Sequence, residues 1–91
     1  TTLHNIASIL KKQGKYSESL KQFEYVLEIK RKLYKETNDY HPDIATTLHN
    51  IASIFREQGK YSESLKQYEY VLKIERKLYK ETNDYHPLIA G

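Results

Sequence analysis

The chain has 91 residues, with 15 basic and 12 acidic side chains, and a net charge of +3 at pH 7. This length suits one small domain, and the small positive excess is interspersed with acidic residues, which argues against a nucleic-acid-binding surface. Cysteine is absent, which excludes disulfides and thiol chemistry. No apolar run approaches the roughly 20 residues that a membrane-spanning helix needs. We therefore expect no membrane association and a cytoplasmic location.

The two halves of the chain are near copies. Residues 1–45 align with residues 46–90 without a gap and differ at seven positions. The differing pairs are Leu10/Phe55, Lys11/Arg56, Lys12/Glu57, Phe23/Tyr68, Glu28/Lys73, Lys30/Glu75 and Asp43/Leu88. Such identity indicates tandem duplication or deliberate copying by design. We predict one domain, 1–91, in which repeat 1 is 1–45 and repeat 2 is 46–90.

Each copy predicts a short helix followed by a long one. The apolar residues of the short helix recur at the spacing of a single helix face: Leu3, Ile6, Ala7 and Leu10. Gly14 ends this helix, and Ser17 is expected to cap the second, which should reach Lys35 or Glu36. The apolar stripe of the second helix is formed by Tyr16, Leu20, Phe23, Leu27 and Tyr34. Pro42 then fits the first position of the next helix.

These positions resemble the tetratricopeptide repeat. The short helix carries its large-large-small-large set, and the next positions match its Gly, aromatic, small, aromatic and small residues: Gly14, Tyr16, Ser19, Phe23 and Val26. The second copy repeats both sets. Residues 2–7 and 39–45 resemble more specifically the kinesin light chain type. The resemblance implies an all-α fold, an α-solenoid of two helix-turn-helix repeats.

The chain departs from the family pattern in a way that lengthens the second helix of each repeat. The repeat spans 45 residues, which is unusually long because the common length in the family is about 34. Arg31 and Arg76 stand where the family has a proline, which permits the extension.

The resemblance implies a non-enzymatic protein–protein interaction or scaffold module, a fragment of a longer array. In the family the short helices line a concave groove that holds a peptide or a helix. The groove positions correspond here to His4, Asn5, Ser8, Lys11, Lys12, His49, Asn50, Ser53, Arg56 and Glu57. The cations among them, Lys11, Lys12 and Arg56, favour an acidic protein or peptide partner.

No catalytic, cofactor-binding or metal-binding residue is predicted. His4 and His49 have no second metal ligand one helical turn away, so they are interpreted as groove-lining or packing residues. Ser17 and Ser19 lie near no activating base in the sequence, and capping and packing explain them. Tyr16, Tyr34, Tyr61 and Tyr79 are expected in the core, and Tyr40 and Tyr85 are expected to fold back from the loops as apolar latches.

The chain begins inside a short helix and reaches the start of a third at Pro87. Terminal solenoid repeats normally carry a polar cap, and none is visible in this sequence. We therefore expect a homo-oligomer formed by end-on stacking or by helix exchange between chains. The alternative function is a self-stacking structural repeat, or a model of repeat-protein folding or design, without a ligand of its own. Binding of single-stranded nucleic acid is a weaker alternative, because the aromatic residues follow helical packing.

Overall fold

The computed structural model describes residues 2–79. This part of the chain forms four α-helices: α1 (Thr2–Lys12), α2 (Tyr16–Leu33), α3 (Pro42–Glu57) and α4 (Tyr61–Tyr79). A 3-10 turn, Lys35–Thr37, lies between α2 and α3, and no strand occurs within the described range. α1 packs against α2, α2 against α3, and α3 against α4. The predicted all-α fold with a long second helix in each pair is confirmed.

Both short helices end at a glycine. Gly14 and Gly59 have φ of +78°, which side chains disfavour and glycine adopts freely. The amide of Gly14 donates to the carbonyl of Lys11 at 3.0 Å, and the amide of Lys15 donates to the carbonyl of Leu10 at 2.9 Å. This pair of bonds is the Schellman motif, which satisfies carbonyls at a helix end, and it recurs after Gly59. The predicted end of the short helix at Gly14 is confirmed.

The start of α3 also follows the prediction. Pro42 occupies the first turn of α3, and His41 before it is extended, with φ of −143° and ψ of 138°. The Nδ1 atom of His41 accepts a hydrogen bond from the amide of Asp43 at 3.1 Å. The His41 ring stacks on Tyr34 with a centroid separation of 3.7 Å. His41 therefore caps α3 and fixes the direction in which the chain enters it.

The predicted cap of α2 at Ser17 is wrong. The helix begins at Tyr16, and its N-cap is Lys15, which makes no side-chain capping hydrogen bond. The carbonyl of Lys15 already accepts from the amide of Ser19 at 2.9 Å. The turn after Gly14 thus delivers the chain directly into α2, and Ser17 falls within the first turn as an exposed residue.

The end of α2 also comes earlier than the predicted Lys35 or Glu36. The α-helix ends at Leu33, and Tyr34 leaves helical geometry with φ of −111° and ψ of 32°. The chain then tightens into the 3-10 turn, where the Thr37 hydroxyl donates to the Tyr34 carbonyl at 2.6 Å. This local hydrogen bond competes with continuation of the α-helix.

Small residues bring the two helices of each pair into direct contact. Ala7 and Ser19 have no exposed surface, and the Ser19 hydroxyl donates to the Ala7 carbonyl at 2.7 Å. The second pair repeats the contact, because the Ser64 hydroxyl donates to the Ala52 carbonyl at 2.8 Å. The interpretation of Ser19 as a small packing residue is confirmed.

Only some of the tyrosines expected in the core pack against it. Tyr16 and Tyr34 pack against it, and so does the loop residue Tyr40, whose ring also lies 4.9 Å from Lys77 Nζ. Tyr61 is 69% exposed, so its predicted burial is wrong. The other predicted loop latch, Tyr85, lies outside the described residues.

The linker between the two helix pairs is held by a clamp centred on Asp39. Asn38 and Asp39 both have positive φ, a conformation that Asn and Asp tolerate better than most residues. The Asp39 carboxylate accepts from Arg31 at 3.0 and 2.9 Å and from the Tyr70 hydroxyl at 2.7 Å. The clamp therefore joins α2, the linker and α4.

We expect Asp39→Asn to destabilise the fold at pH 7 by about 1 kcal/mol, since charged hydrogen bonds contribute more than neutral ones but this clamp is partly exposed. Asn keeps the backbone preference and removes the charge. Burial acts to raise the pKa of Asp39, but hydrogen bonds from Arg31 and Tyr70 hold it below the ordinary 3.8. The contribution of the carboxylate is therefore present above about pH 4 and is lost as the pH falls through the lower folded-state pKa.

The measurement is urea unfolding of wild type and variant from pH 7 to pH 2. The stability difference should shrink below about pH 4. Glu36→Gln, which alters an exposed carboxylate next to the same linker, serves as the control. If the difference in stability between wild type and Asp39→Asn stays constant over the whole pH range, the Asp39 carboxylate does not stabilise the fold through the clamp.

Candidate protein-binding groove

The ten predicted groove residues lie on the short helices α1 and α3. On α1, His4, Ser8 and Lys11 are half-buried, whereas Asn5 and Lys12 are exposed. On α3, His49, Arg56 and Glu57 are exposed, Asn50 is half-buried and Ser53 is buried. With 3% of its surface exposed, Ser53 offers no hydroxyl to a ligand unless α3 moves.

Two cations and one histidine among these residues interact electrostatically across the two helices. Burial and the nearby charge of Arg56 lower the pKa of Lys11. Burial, together with the charges of Lys11 and Arg56, lowers the pKa of His49. Each group therefore lies within electrostatic reach of the others, although Lys11 and Arg56 belong to different helices. We call Lys11, His49 and Arg56 the cationic cluster.

One acidic residue borders the cluster. The Glu57 carboxylate lies 3.5 Å from Arg56 Nη2, and both side chains are largely exposed. Its charge also acts to raise the pKa of Lys11 against the larger effects of burial and Arg56. An ion pair this exposed is weak and leaves Arg56 available to a competing carboxylate.

Both groove histidines pack edge-on against the long helices. His4 lies 5.3 Å from the Phe23 ring at 81°, and His49 lies 5.2 Å from the Tyr68 ring at 75°. Such T-shaped contacts fix the two rings against the core. Between residues 2 and 79 no group of three or more His, Cys, Asp or Glu side chains is placed to hold a metal ion.

Sequence reasoning missed two residues around His4. Burial and the charge of Lys30 lower the pKa of His4, and the charge of Asp43 acts in the opposite direction. Lys30 Nζ donates to Thr47 Oγ1 at 3.3 Å, and the Tyr34 hydroxyl donates to Asp43 at 3.2 Å. Both residues are at positions where the copies differ, Lys30/Glu75 and Asp43/Leu88, and this difference was the available signal.

An apolar cavity between α3 and α4 adjoins the predicted groove residues His49 and Asn50. Its volume is about 230 Å³, and it is lined by Pro42, Ala45, Thr46, His49, Asn50, Glu75, Leu78 and Tyr79. Asn50 Nδ2 donates to the Thr46 carbonyl at 3.1 Å, so one donor of this amide is used within α3. The cavity places apolar surface next to His49 and therefore next to the cationic cluster.

Comparison with known proteins agrees with this architecture. The model of the tetratricopeptide repeat family matches residues 1–77. The chain belongs to this family. Comparison with curated proteins gave no match. Tetratricopeptide repeats are helical modules generally used for protein–protein interaction and generally not enzymes. Over the described residues, no helix of this tetratricopeptide repeat chain has the length and apolarity to cross a membrane.

We expect His49 to titrate below the ordinary 6.5, because burial and neighbouring positive charge disfavour its protonated form. Lys11→Met should raise the pKa of His49 toward 6.5 by removing one of those charges. The measurement is an NMR titration of the imidazole, with the signal assigned by its loss in His49→Gln.

Lys12→Met is the matched control, since Lys12 is the exposed neighbour of Lys11 at the same helix end. It should leave the titration of His49 unchanged. If Lys11→Met leaves the pKa of His49 unchanged, the charge of Lys11 does not act on His49 and Lys11 does not belong to the cluster.

Proposed function

We propose that this tetratricopeptide repeat chain is a non-enzymatic protein-binding module whose short helices hold an acidic segment of a partner protein. The cationic cluster carries the proposal. Burial and the charge of Arg56 lower the pKa of Lys11, and burial and the charges of Lys11 and Arg56 lower the pKa of His49, so positive charge is unfavourable at this site and a carboxylate beside it relieves the repulsion. The proposed domain, 1–91, comprises repeats 1–45 and 46–90.

The resemblance of residues 2–7 and 39–45 to the kinesin light chain type, and the 45-residue spacing, support an array that binds peptide segments. His4 and His49 replace an asparagine of that type, so the ligand contacts are expected to differ. A cytoplasmic location remains a prediction from the sequence.

The two ends of the groove differ in charge because of one difference between the copies. Lys12 in α1 corresponds to Glu57 in α3, so the α1 end carries two cations and the α3 end carries a cation and an anion. An acidic ligand should therefore place its highest negative charge beside Lys11 and Lys12. Glu57→Lys makes the two ends alike and is expected to tighten binding.

The apolar cavity beside the cluster can hold an apolar side chain of the ligand. The cavity next to His49 is lined mainly by apolar atoms of α3 and α4. A ligand that combines acidic residues with a neighbouring apolar side chain fits both features, since the apolar part supplies burial and the acidic part supplies orientation.

The test is fluorescence anisotropy with a library of labelled acidic peptides and scrambled neutral peptides. We expect selective binding of acidic peptides that weakens as salt rises. Lys11→Glu with Arg56→Glu should weaken binding by on the order of tenfold, since two attractive contacts become repulsive.

Lys21→Glu with Lys66→Glu is the matched control. These lysines are also equivalent in the two copies, are exposed on the long helices, and change the net charge by the same amount. If both double variants lose binding equally, the loss is caused by the change in net charge and not by the proposed site. Acidic peptides that bind the Lys11→Glu, Arg56→Glu variant as tightly as wild type would disprove the proposed site.

A further inference from the structure

Every exposed large apolar side chain of the described structure has an identical, covered counterpart in the other copy. The exposed residues are Ile6, Ile9, Tyr25, Ile29, Leu33, Tyr61 and Leu65. Their counterparts at the same repeat positions are Ile51, Ile54, Tyr70, Ile74, Leu78, Tyr16 and Leu20, all of which are buried in the core or packed against it. Because the paired residues are identical, their difference in solvent exposure comes from the helices beside them and not from the type of side chain.

The first uncovered surface includes the outer side of α1. Ile6 is 43% exposed and Ile51 is 4% exposed, while Ile9 is 55% exposed and Ile54 is fully buried. α3 packs against both α2 and α4, whereas the extensive helix contacts of α1 within the described residues are with α2. On α3, one side packs against α2. The equivalent side of α1 has no described helix packed against it.

The same uncovered surface continues onto α2. Tyr25, Ile29 and Leu33 are exposed, although their counterparts on α4 are packed. Ile74 belongs to the same core cluster as Ile44 and Ala45 in the first turns of α3. No described residue covers Ile29 in the equivalent way. We call Ile6 and Ile9, whose counterparts on α3 are buried, the head face.

The second uncovered surface lies on α4. Tyr61 is 69% exposed and Leu65 is 59% exposed, whereas Tyr16 and Leu20 on α2 pack against the core. The additional helix that α2 contacts is α3, and no described helix lies on the matching side of α4. We call Tyr61 and Leu65 the tail face.

The head face and the tail face are thus the two halves of an interface that the chain already forms between α2 and α3. We propose that the tail face of one copy binds the head face of a second copy, so that α4 meets the neighbour's α1 as α2 meets α3. The occupant is a second copy because the side chains, their spacing and their order are those of the internal interface. The two bound surfaces differ, so the contact is heterologous and can extend from copy to copy.

The test is light scattering with size-exclusion chromatography over a wide concentration range. Wild type should grow past the dimer as concentration rises. Ile9→Asp on the head face and Leu65→Asp on the tail face should each be monomeric, because each places a charge in an apolar contact. An equimolar mixture of the two variants should form a dimer that does not grow, since it contains one intact head and one intact tail.

Both substituted side chains are exposed, so circular dichroism should show unchanged helix content. Thr46→Asp, on the exposed side of the central helix α3, is the control and should assemble as wild type does. A wild-type monomer at high concentration overturns the proposal. A closed dimer, or failure of the mixed variants to dimerise, overturns the head-to-tail arrangement.

Discussion

The fold depends on the close approach of each short helix to its long partner at an alanine and a serine. No bulky side chain separates the helices there, and the Ser19 hydroxyl is satisfied by the Ala7 carbonyl, so the contact is tight without an unpaired polar group. Ser64 and Ala52 repeat the contact in the second pair. The two pairs therefore have the same internal arrangement, and equivalent positions can be compared directly.

The next constraint is that α2 contacts helices on two sides. It packs against α1 within its own pair and against α3 of the next pair, and so it holds the two short helices beside each other. The cationic cluster exists because of this arrangement, since Lys11 belongs to α1 and Arg56 to α3. The same arrangement encloses α3 and leaves an apolar side of α1 and of α4 open. The proposed groove and the two end faces thus have one structural origin.

Local features were predictable from the sequence because a few adjacent residues determine them. Gly14 can adopt positive φ, Pro42 has no amide hydrogen to lose, and the apolar spacing identifies each helix. The cap at Ser17 was mispredicted because the turn after Gly14 makes such a cap unnecessary. The repeat pattern predicted uncapped ends, but not which side chains they expose, since Ile9 and Ile54 are identical residues and their burial depends on which helix lies beside each. Lys30 and Asp43 were missed as neighbours of His4 for a related reason, because they come from other helices.

The two proposals are physically coupled. In a head-to-tail stack, α1 of one copy lies beside α3 of the copy before it, as α3 lies beside α1 within the chain. Lys11 of the later copy then lies near Arg56 of the earlier one, and the row of cations continues across the junction. An acidic segment long enough to contact both copies binds the stack more tightly than the separate chains, and by thermodynamic reciprocity it must promote stacking to the same degree. A shorter segment that contacts one copy alone has equal affinity for the stacked and the separate chains, so it does not shift the equilibrium between them. Ligand length, rather than charge alone, therefore determines whether binding drives assembly.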